Sequence, residues 1–292
     1  MPRRILIQLD CDDQPSTFDA VVAVDAGADV LLRHGRVSPA NVAGLVHGAI
    51  FTRGGSDLAS TAIFIGGSDV EAAEAVRDRV VGTFFGPMRV SVLLDPSGAN
   101  STAAAAVVAA ARHVGLAGTK SLVLGGTGPV GRRVGRLLAR KGARVSIASR
   151  SAERGEAACK AIQAVVPGAV VEPVFPGHSL DAAVASASVI VGAGAAGATL
   201  LSADAARASR EARVIVDLNA VPPAGIGGIV ATDKASPAAW NDRLLLYGAL
   251  GVGGTKMKIH RAAIDKLFGR SDLVLDAEEL LAIGESLETR AT

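Results

Sequence analysis

Aromatic side chains make up 3 % of the 292 residues, so the core has to be built from Ala, Val, Leu and Ile. Thirty Lys and Arg face 28 Asp and Glu, a net charge of +2. The basic residues are scattered, without aromatics between them, which excludes a nucleic-acid footprint. Two cysteines, Cys11 and Cys159, are too few for a disulfide frame and point to a reducing compartment, with both read as packing residues. The Ala-rich segment Ala103 to Ala111 is about half of what a bilayer crossing needs. The basic start Met1-Pro2-Arg3-Arg4-Ile5 has an apolar run that ends at Asp10, too short for a signal peptide, and no cleavage site follows. A cytoplasmic protein without membrane or nucleic-acid partners is expected. There is no HExxH and no GxSxG, and no lysine occurs before Lys120. His34, His47, His113, His178 and His260 form neither triad nor metal spacing and read as structural.

What is present is hydrophobic content of 49 %, charge of 20 % and 34 glycines, a packed globule with many tight turns, long enough for two domains. The most informative stretch is 121–150. Leu122 to Leu124 reads as a buried strand, and G-x-G-x-x-G follows on Gly126, Gly128 and Gly131. Val130, Val134, Leu137 and Leu138 then recur at helical spacing, Gly142 stops the helix, and Val145 to Ala148 make a second strand. Strand, glycine turn, helix and strand form the context that makes this motif a dinucleotide site. Gly126 permits the turn, Gly128 lets the backbone approach a pyrophosphate, and Gly131 lets the helix pack on the strand. Free N–H groups of this turn and the positive end of the helix dipole then face the phosphates, with Thr127, Pro129 and Val130 read as cofactor-binding beside the glycines.

An NAD-selective site places Asp or Glu at the end of the second strand, about 20 residues on, to hold the ribose 2′-OH. Here Ala148-Ser149-Arg150-Ser151 stands there, with Arg154 one turn further. Arg150 can pair with a 2′-phosphate through its planar fork and a serine can add a hydroxyl, which predicts that NADP is accepted and preferred. The alternative is that Arg150 stacks on the adenine, leaving NAD usable.

Before this unit, strands are expected at 4–9, 29–33, 62–65 and 89–94, with helices from Ser16 or Thr17 to Val24, from Ser38-Pro39 with Pro at the first helical position, and from Val70 to Val81. A helix from Thr102 to Val114 is read as a connector. Further strands near 189–191, 214–217 and 244–247 end in small residues, including Gly192-Ala193, which leave room for the nicotinamide. The loop Asn219 to Gly228 is a natural cover there. After Gly251-Val252-Gly253-Gly254, Lys256, Lys258 and His260 precede a helix, and a last helix covers 276–287. The fold class is thus α/β with two αβα domains: a parallel-sheet domain of 1–101 completed by 255–292, and a Rossmann-type NAD(P) domain of 102–254. The cleft between them, crossed at 95–102 and 250–256, is the expected site.

Asp10, Asp12, Asp13 and Asp19 cluster in sequence, but without a paired His they make no metal site. Asp19, beside Phe18 in a first helical turn, can accept from a guanidine-like N–H pair such as a pterin presents, or serve only the helix dipole. Lys256 can reach the nicotinamide end of the cleft. Lys258 would share its face on a strand but not on a helix.

Several uncommon runs carry a resemblance from end to end. They are Pro15-Ser16-Thr17-Phe18-Asp19, Phe51-Thr52-Arg53-Gly54-Gly55, Ser60 to Gly67, Phe84-Phe85-Gly86-Pro87, Gly125 to Gly131, Asn219 to Gly228 and Gly248 to Arg261. With them the chain resembles the bacterial NAD(P)-dependent methylene-tetrahydromethanopterin / methylene-tetrahydrofolate dehydrogenases of methylotrophic one-carbon metabolism, and is closer to the NADP-linked branch. The resemblance implies reversible hydride transfer between the methylene carbon of a reduced pterin and NADP, in a homo-oligomer with a trimer as one form. It places Lys256 at the reaction centre, Asp19 near the pterin, and Ser149 and Arg150 at the 2′-phosphate; Phe18, Asn219 and Lys258 are read from their positions as further substrate contacts. It leaves methanopterin and folate both open as carrier. The competing readings are a shikimate-dehydrogenase-like NADP enzyme, which wants a Lys–Asp dyad in the first domain, and a non-catalytic NADP-binding regulator, which wants no substrate-facing Lys or Asp.

Overall fold

The computed structural model describes residues 2–290. In chain order the elements are β1 (Ile5–Asp10), α1 (Thr17–Asp25), β2 (Val30–His34), α2 (Val42–Phe51), β3 (Thr61–Gly66), α3 (Val70–Thr83), β4 (Ser91–Leu94), α4 (Ala99–Ala111), β5 (Lys120–Leu124), α5 (Pro129–Arg140) and β6 (Arg144–Ala148). They continue as α6 (Ala152–Val165), β7 (Val171–Val174), α7 (His178–Ser186), β8 (Val189–Gly192), α8 (Ala203–Arg207), β9 (Val214–Asp217), β10 (Lys234–Ala238), β11 (Asn241–Tyr247), α9 (Ala249–Lys266), β12 (Val274–Leu275) and α10 (Ala277–Thr289). The chain divides into two compact units, Met1–Ser101 with Met257–Thr292, and Thr102–Lys256, so the boundaries fall inside α4 and α9.

The first unit holds a five-stranded parallel sheet of order β12-β4-β3-β1-β2. Its central strand β3 is buried on both faces, as an apolar run in a parallel sheet must be. Leu9, Ile63, Ile65, Val76, Val92 and Leu94 build one side of the core. The tail contributes β12 beside β4, and α10 opens on a capping box between Asp276 and Glu279. Ser16 caps α1 by accepting from the Asp19 N–H. Pro39 does not open α2. The Asn41 side chain accepts from the Ser38 N–H (2.8 Å) and donates to the Arg36 carbonyl (2.9 Å), so 38–41 is a turn and the helix starts at Val42.

The second unit holds a seven-stranded sheet of order β10-β11-β9-β8-β5-β6-β7, parallel except for the β10–β11 hairpin. The chain leaves β5 outward through β6 and β7, then returns to β8, so β5 and β8 flank a topological switch point. Leu122, Leu124, Ile190 and Ile215 are buried at its centre. Gly142 follows α5 at φ +81°, the left-handed stop expected of a glycine there. His113 is structural, with Nε2 2.8 Å from the Tyr247 hydroxyl. Burial, with acidic neighbours, pushes both the Cys11 and Cys159 thiols up to about 11, so neither is a reactive thiolate near neutrality. Among the described residues no helix is long and apolar enough to cross a membrane.

Candidate active site

The glycine loop between β5 and α5 sorts its residues by steric need. Gly125, not Gly126, takes the left-handed conformation (φ +68°). A Cβ on Gly126 would stand 2.8 Å from Ile147 Cγ2, and one on Gly131 only 2.4 Å from the Gly125 carbonyl oxygen. These two are fixed by the fold itself. Gly128 is different, because its nearest neighbours would be the Gly125 and Ala193 oxygens at 3.4 and 3.8 Å, ordinary contacts. The fold does not require a glycine at 128, which leaves the backbone there bare for a ligand to approach. Gly128 is the N-cap of α5 with no side-chain hydrogen bond, Pro129 holds the first position, and the first turn carries no acidic residue. Thr127, Gly128 and Val130 are half-buried, open to a ligand, and Ala193 at the end of β8 borders the same loop. This cradle fits the diphosphate of a dinucleotide.

At the end of β6, Arg150 and Arg154 are exposed. The Ser149 hydroxyl is engaged locally, donating to the Ser151 carbonyl (2.7 Å) and accepting from its N–H (3.1 Å). Ser151 caps α6 by accepting from the Arg154 N–H. Arg150 and Arg154 thus both present exposed guanidinium groups here, while Glu153 adds an exposed carboxylate in the first turn of α6.

The end of β9 is tied to the 219–226 loop by a residue that sequence reading missed. Asp217 is buried, accepting from the Asn219 N–H (3.2 Å) and the Ile226 N–H (3.1 Å). A side chain on Gly192 would meet Ile226 and Asp217. Asn219 in turn donates to the Pro223 carbonyl (2.9 Å) and accepts from the Val221 N–H (3.1 Å), so its amide shapes the 219–226 loop. Burial raises the Asp217 carboxyl, against the N–H groups of Ile226, Asn219 and Gly225, which lower it. The folded chain thus holds that proton more tightly than the unfolded one, and the stability Asp217 contributes declines as pH rises through the raised value. Asp217→Ala is expected to cost about 2 kcal/mol through stranded N–H groups. Denaturant titrations should show that loss shrinking from the acidic carboxylate range toward neutrality.

In the first unit the aspartates act as loop staples. Asp10 accepts from the Asp12 and Ser16 N–H groups, Asp12 accepts from Ser68, and Asp13 pairs with Arg36 at the surface. Gln8 is buried and donates to the Ser16 carbonyl, while Arg33 donates to both Gln8 and Pro15. Together they fix the start of α1, and with it Phe18, half exposed, and Asp19, buried. Among the described residues no group of three or more His, Cys, Asp or Glu could hold a metal. Lys256 and Lys258 lie within α9, which begins at Ala249, so the run 251–254 is helical and not a glycine-rich crossing. On this helix the two lysines point to different sides, with Lys256 half-buried and Lys258 exposed.

A parallel-sheet α/β unit joined to a unit with a G-x-G-x-x-G loop at the switch point of its sheet is the architecture of Rossmann-type NAD(P)-binding proteins. Residues 17–97 match the family described as methylene-tetrahydromethanopterin dehydrogenase, N-terminal. The chain is 42 % identical over 98 % of its length, and all of the relative's, to the bifunctional protein MdtA of Methylorubrum extorquens. It is 32 % identical, over 97 % of its length and 95 % of the relative's, to the NAD(P)-dependent methylenetetrahydromethanopterin dehydrogenase of the same organism. Among solved structures, the quinate dehydrogenase of Corynebacterium glutamicum in complex with NAD shares the fold, with a TM-score of 0.53 at 15 % identity, covering 97 % of this chain and 99 % of that one. The chain belongs to the methylene-tetrahydromethanopterin dehydrogenase family.

Proposed function

We propose that the protein transfers a hydride reversibly between the methylene carbon of methylene-tetrahydromethanopterin and NAD(P), giving the methenyl pterin and NAD(P)H in one-carbon metabolism. The observation that carries this is full-length kinship with the two methylotroph proteins, in a chain whose glycine loop keeps an unforced glycine at 128. The nicotinamide, when bound, supplies the hydride acceptor. Gly126 to Gly131 cradle the diphosphate, Gly192 and Ala193 leave space beside it, and the Asn219 loop covers it. The pterin carrier extends to tetrahydrofolate.

The chemistry suits these residues. A hydride leaves a carbon flanked by two nitrogens, whose lone pairs stabilise the cation that remains, so no proton has to move. The protein need only align the partners, with reacting carbons about 3–3.5 Å apart. Residues 1–101 and 255–292 carry the pterin contacts Asp19, Phe18 and Lys258, and residues 102–254 carry the cofactor. Lys256 stands at the reaction centre and orients the pterin by hydrogen bonding.

Incubating the protein with methylene-tetrahydromethanopterin and NADP should raise the absorbance of NADPH, with a parallel signal from the folate analogue. NADP binding without turnover on either pterin would identify a nucleotide-binding regulator instead. NADP is the preferred cofactor through Arg150. Arg150→Ala should raise the KM for NADP about tenfold or more, the worth of a charge-assisted pair, and leave that for NAD near wild type. Equal effects on both would assign Arg150 to the adenine.

A further inference from the structure

His260 has no exposure to solvent, and among the described residues neither ring nitrogen has a hydrogen-bond partner. Each nitrogen instead faces a carboxylate just beyond hydrogen-bond length. Nε2 is 3.9 Å from Asp19 Oδ1 and Nδ1 is 3.8 Å from Asp95 Oδ2. Phe64 stacks on the ring at 5.7 Å between centroids and 22° between planes, and Phe18 flanks it at 6.5 Å and 41°. Asp95 is itself fully buried. Its Oδ1 accepts from the Asn100 and Ser101 N–H groups at 2.9 and 3.0 Å, while Oδ2 has no partner. A leucine would fill this place without stranding two nitrogens, so packing does not account for a histidine here.

We propose that His260 is a positioning residue, anchored by Asp95, that sets the orientation of the Asp19 carboxylate toward the N–H pair of the pterin. This rests on the assignment of Asp19 to the pterin above. The amides of α4 hold one oxygen of Asp95. Its other oxygen faces Nδ1, and Phe64 and Phe18 confine the ring plane, so Nε2 is presented to Asp19 in one orientation. With a proton on each ring nitrogen, a small rotation of each carboxylate closes its own gap to a hydrogen bond that the ring donates, and a ligand drawing on Asp19 would favour it.

Two amide replacements separate the two nitrogens, because a glutamine amide reaches where Nε2 lies and an asparagine amide where Nδ1 lies. His260→Asn should raise the KM for the pterin about tenfold or more, the worth of a hydrogen bond to a charged group, with the KM for NADP unchanged. His260→Gln should restore most of the pterin affinity. Adding Asp19→Asn to His260→Asn should raise that KM little further, since the two act as one unit. A wild-type pterin KM in His260→Asn, or equal shifts in both substrates, would overturn the role. Should the His260 variants not fold, Asp95→Ser serves instead. It keeps an oxygen that can accept from the α4 amides but removes the one that faces Nδ1, so the ring loses its anchor, the same selective rise in pterin KM is expected, and its absence overturns the role as well. The Asp19 assignment is read separately from Asp19→Asn alone, where an unchanged pterin KM removes Asp19 from the pterin.

Discussion

Lys256→Ala is expected to lower kcat by about 10² or more while the KM for NADP stays near wild type. Hydride transfer from a carbon between two nitrogens offers no proton to move, so there is no acid or base whose loss could slow the step. A cation beside the reacting carbon would oppose the charge that develops there. In the proposed mechanism the lysine therefore acts at a distance, by a hydrogen bond to a carbonyl or ring nitrogen of the pterin. A rate loss of this size then measures misalignment. The position suits the task, since Lys256 lies half-buried about two turns inside α9 and not on a loop. Lys256→Arg keeps the charge but replaces a compact ammonium by a planar fork, and an intermediate rate is expected. Lys256→Met keeps the stem without the donor and should resemble the alanine variant. Steady-state kinetics with each substrate varied, beside direct NADP titration, checks all three. Wild-type turnover in Lys256→Ala would remove the residue from the mechanism.

The helical setting of Lys256 was the least legible feature of the sequence. Three glycines among residues 251–254 carry a helix penalty of about 1 kcal/mol each and read as a loop. The fold uses Gly248 and Gly251 differently. A Cβ on either would overlap a backbone oxygen, that of Val230 at 2.1 Å or of Asp233 at 1.7 Å. The helix start is pressed against the 230–233 segment, and close approach outweighs propensity. By contrast β3 and β5 were plain, because an apolar run closed by glycine has few other meanings in an alternating α/β chain. The two-residue β12 is too short for any periodicity, and β10 contains Pro237, which argues against a strand except at a sheet edge, where it lies.

The site divides along the same line. Local patterns revealed the glycine loop and the Ser16 cap, since each is a few adjacent residues with a fixed geometric demand. Asp217 and His260 gave no such sign. Asp217 ends an ordinary apolar strand, and its role appears only when the 219–226 loop folds back over it. His260 was one of five scattered histidines, and its two carboxylates come from α1 and from the end of β4, far away in the chain. Long-range polar partners leave no periodic trace, which is why the glycine loop is legible in the sequence and the His260 cluster is not.

Gly128→Ala is expected to fold with the wild-type thermal midpoint and to lose NAD(P) affinity by about 10² or more, whereas Gly131→Ala should lose about 2–4 kcal/mol of stability before any ligand is added. The two glycines belong to one motif, yet the fold treats them oppositely. At 131 a methyl group would lie 2.4 Å from the Gly125 oxygen and 2.7 Å from Gly126 Cα, so the helix must move off the strand. At 128 it would meet only ordinary contacts, and the backbone (φ −78°, ψ 170°) is one that alanine adopts freely. The methyl would instead occupy the space over the α5 amides that the diphosphate needs. Thermal unfolding with and without NADP separates the cases, because a ligand raises the midpoint only in proportion to its affinity for the folded chain. Wild type should melt higher with NADP. Gly128→Ala should match it without the ligand and gain little with it, while Gly131→Ala should melt low in both. A full NADP-induced rise in Gly128→Ala would mean that the diphosphate lies elsewhere, since a methyl group at the mouth of the helix cannot share that space with a bound phosphate.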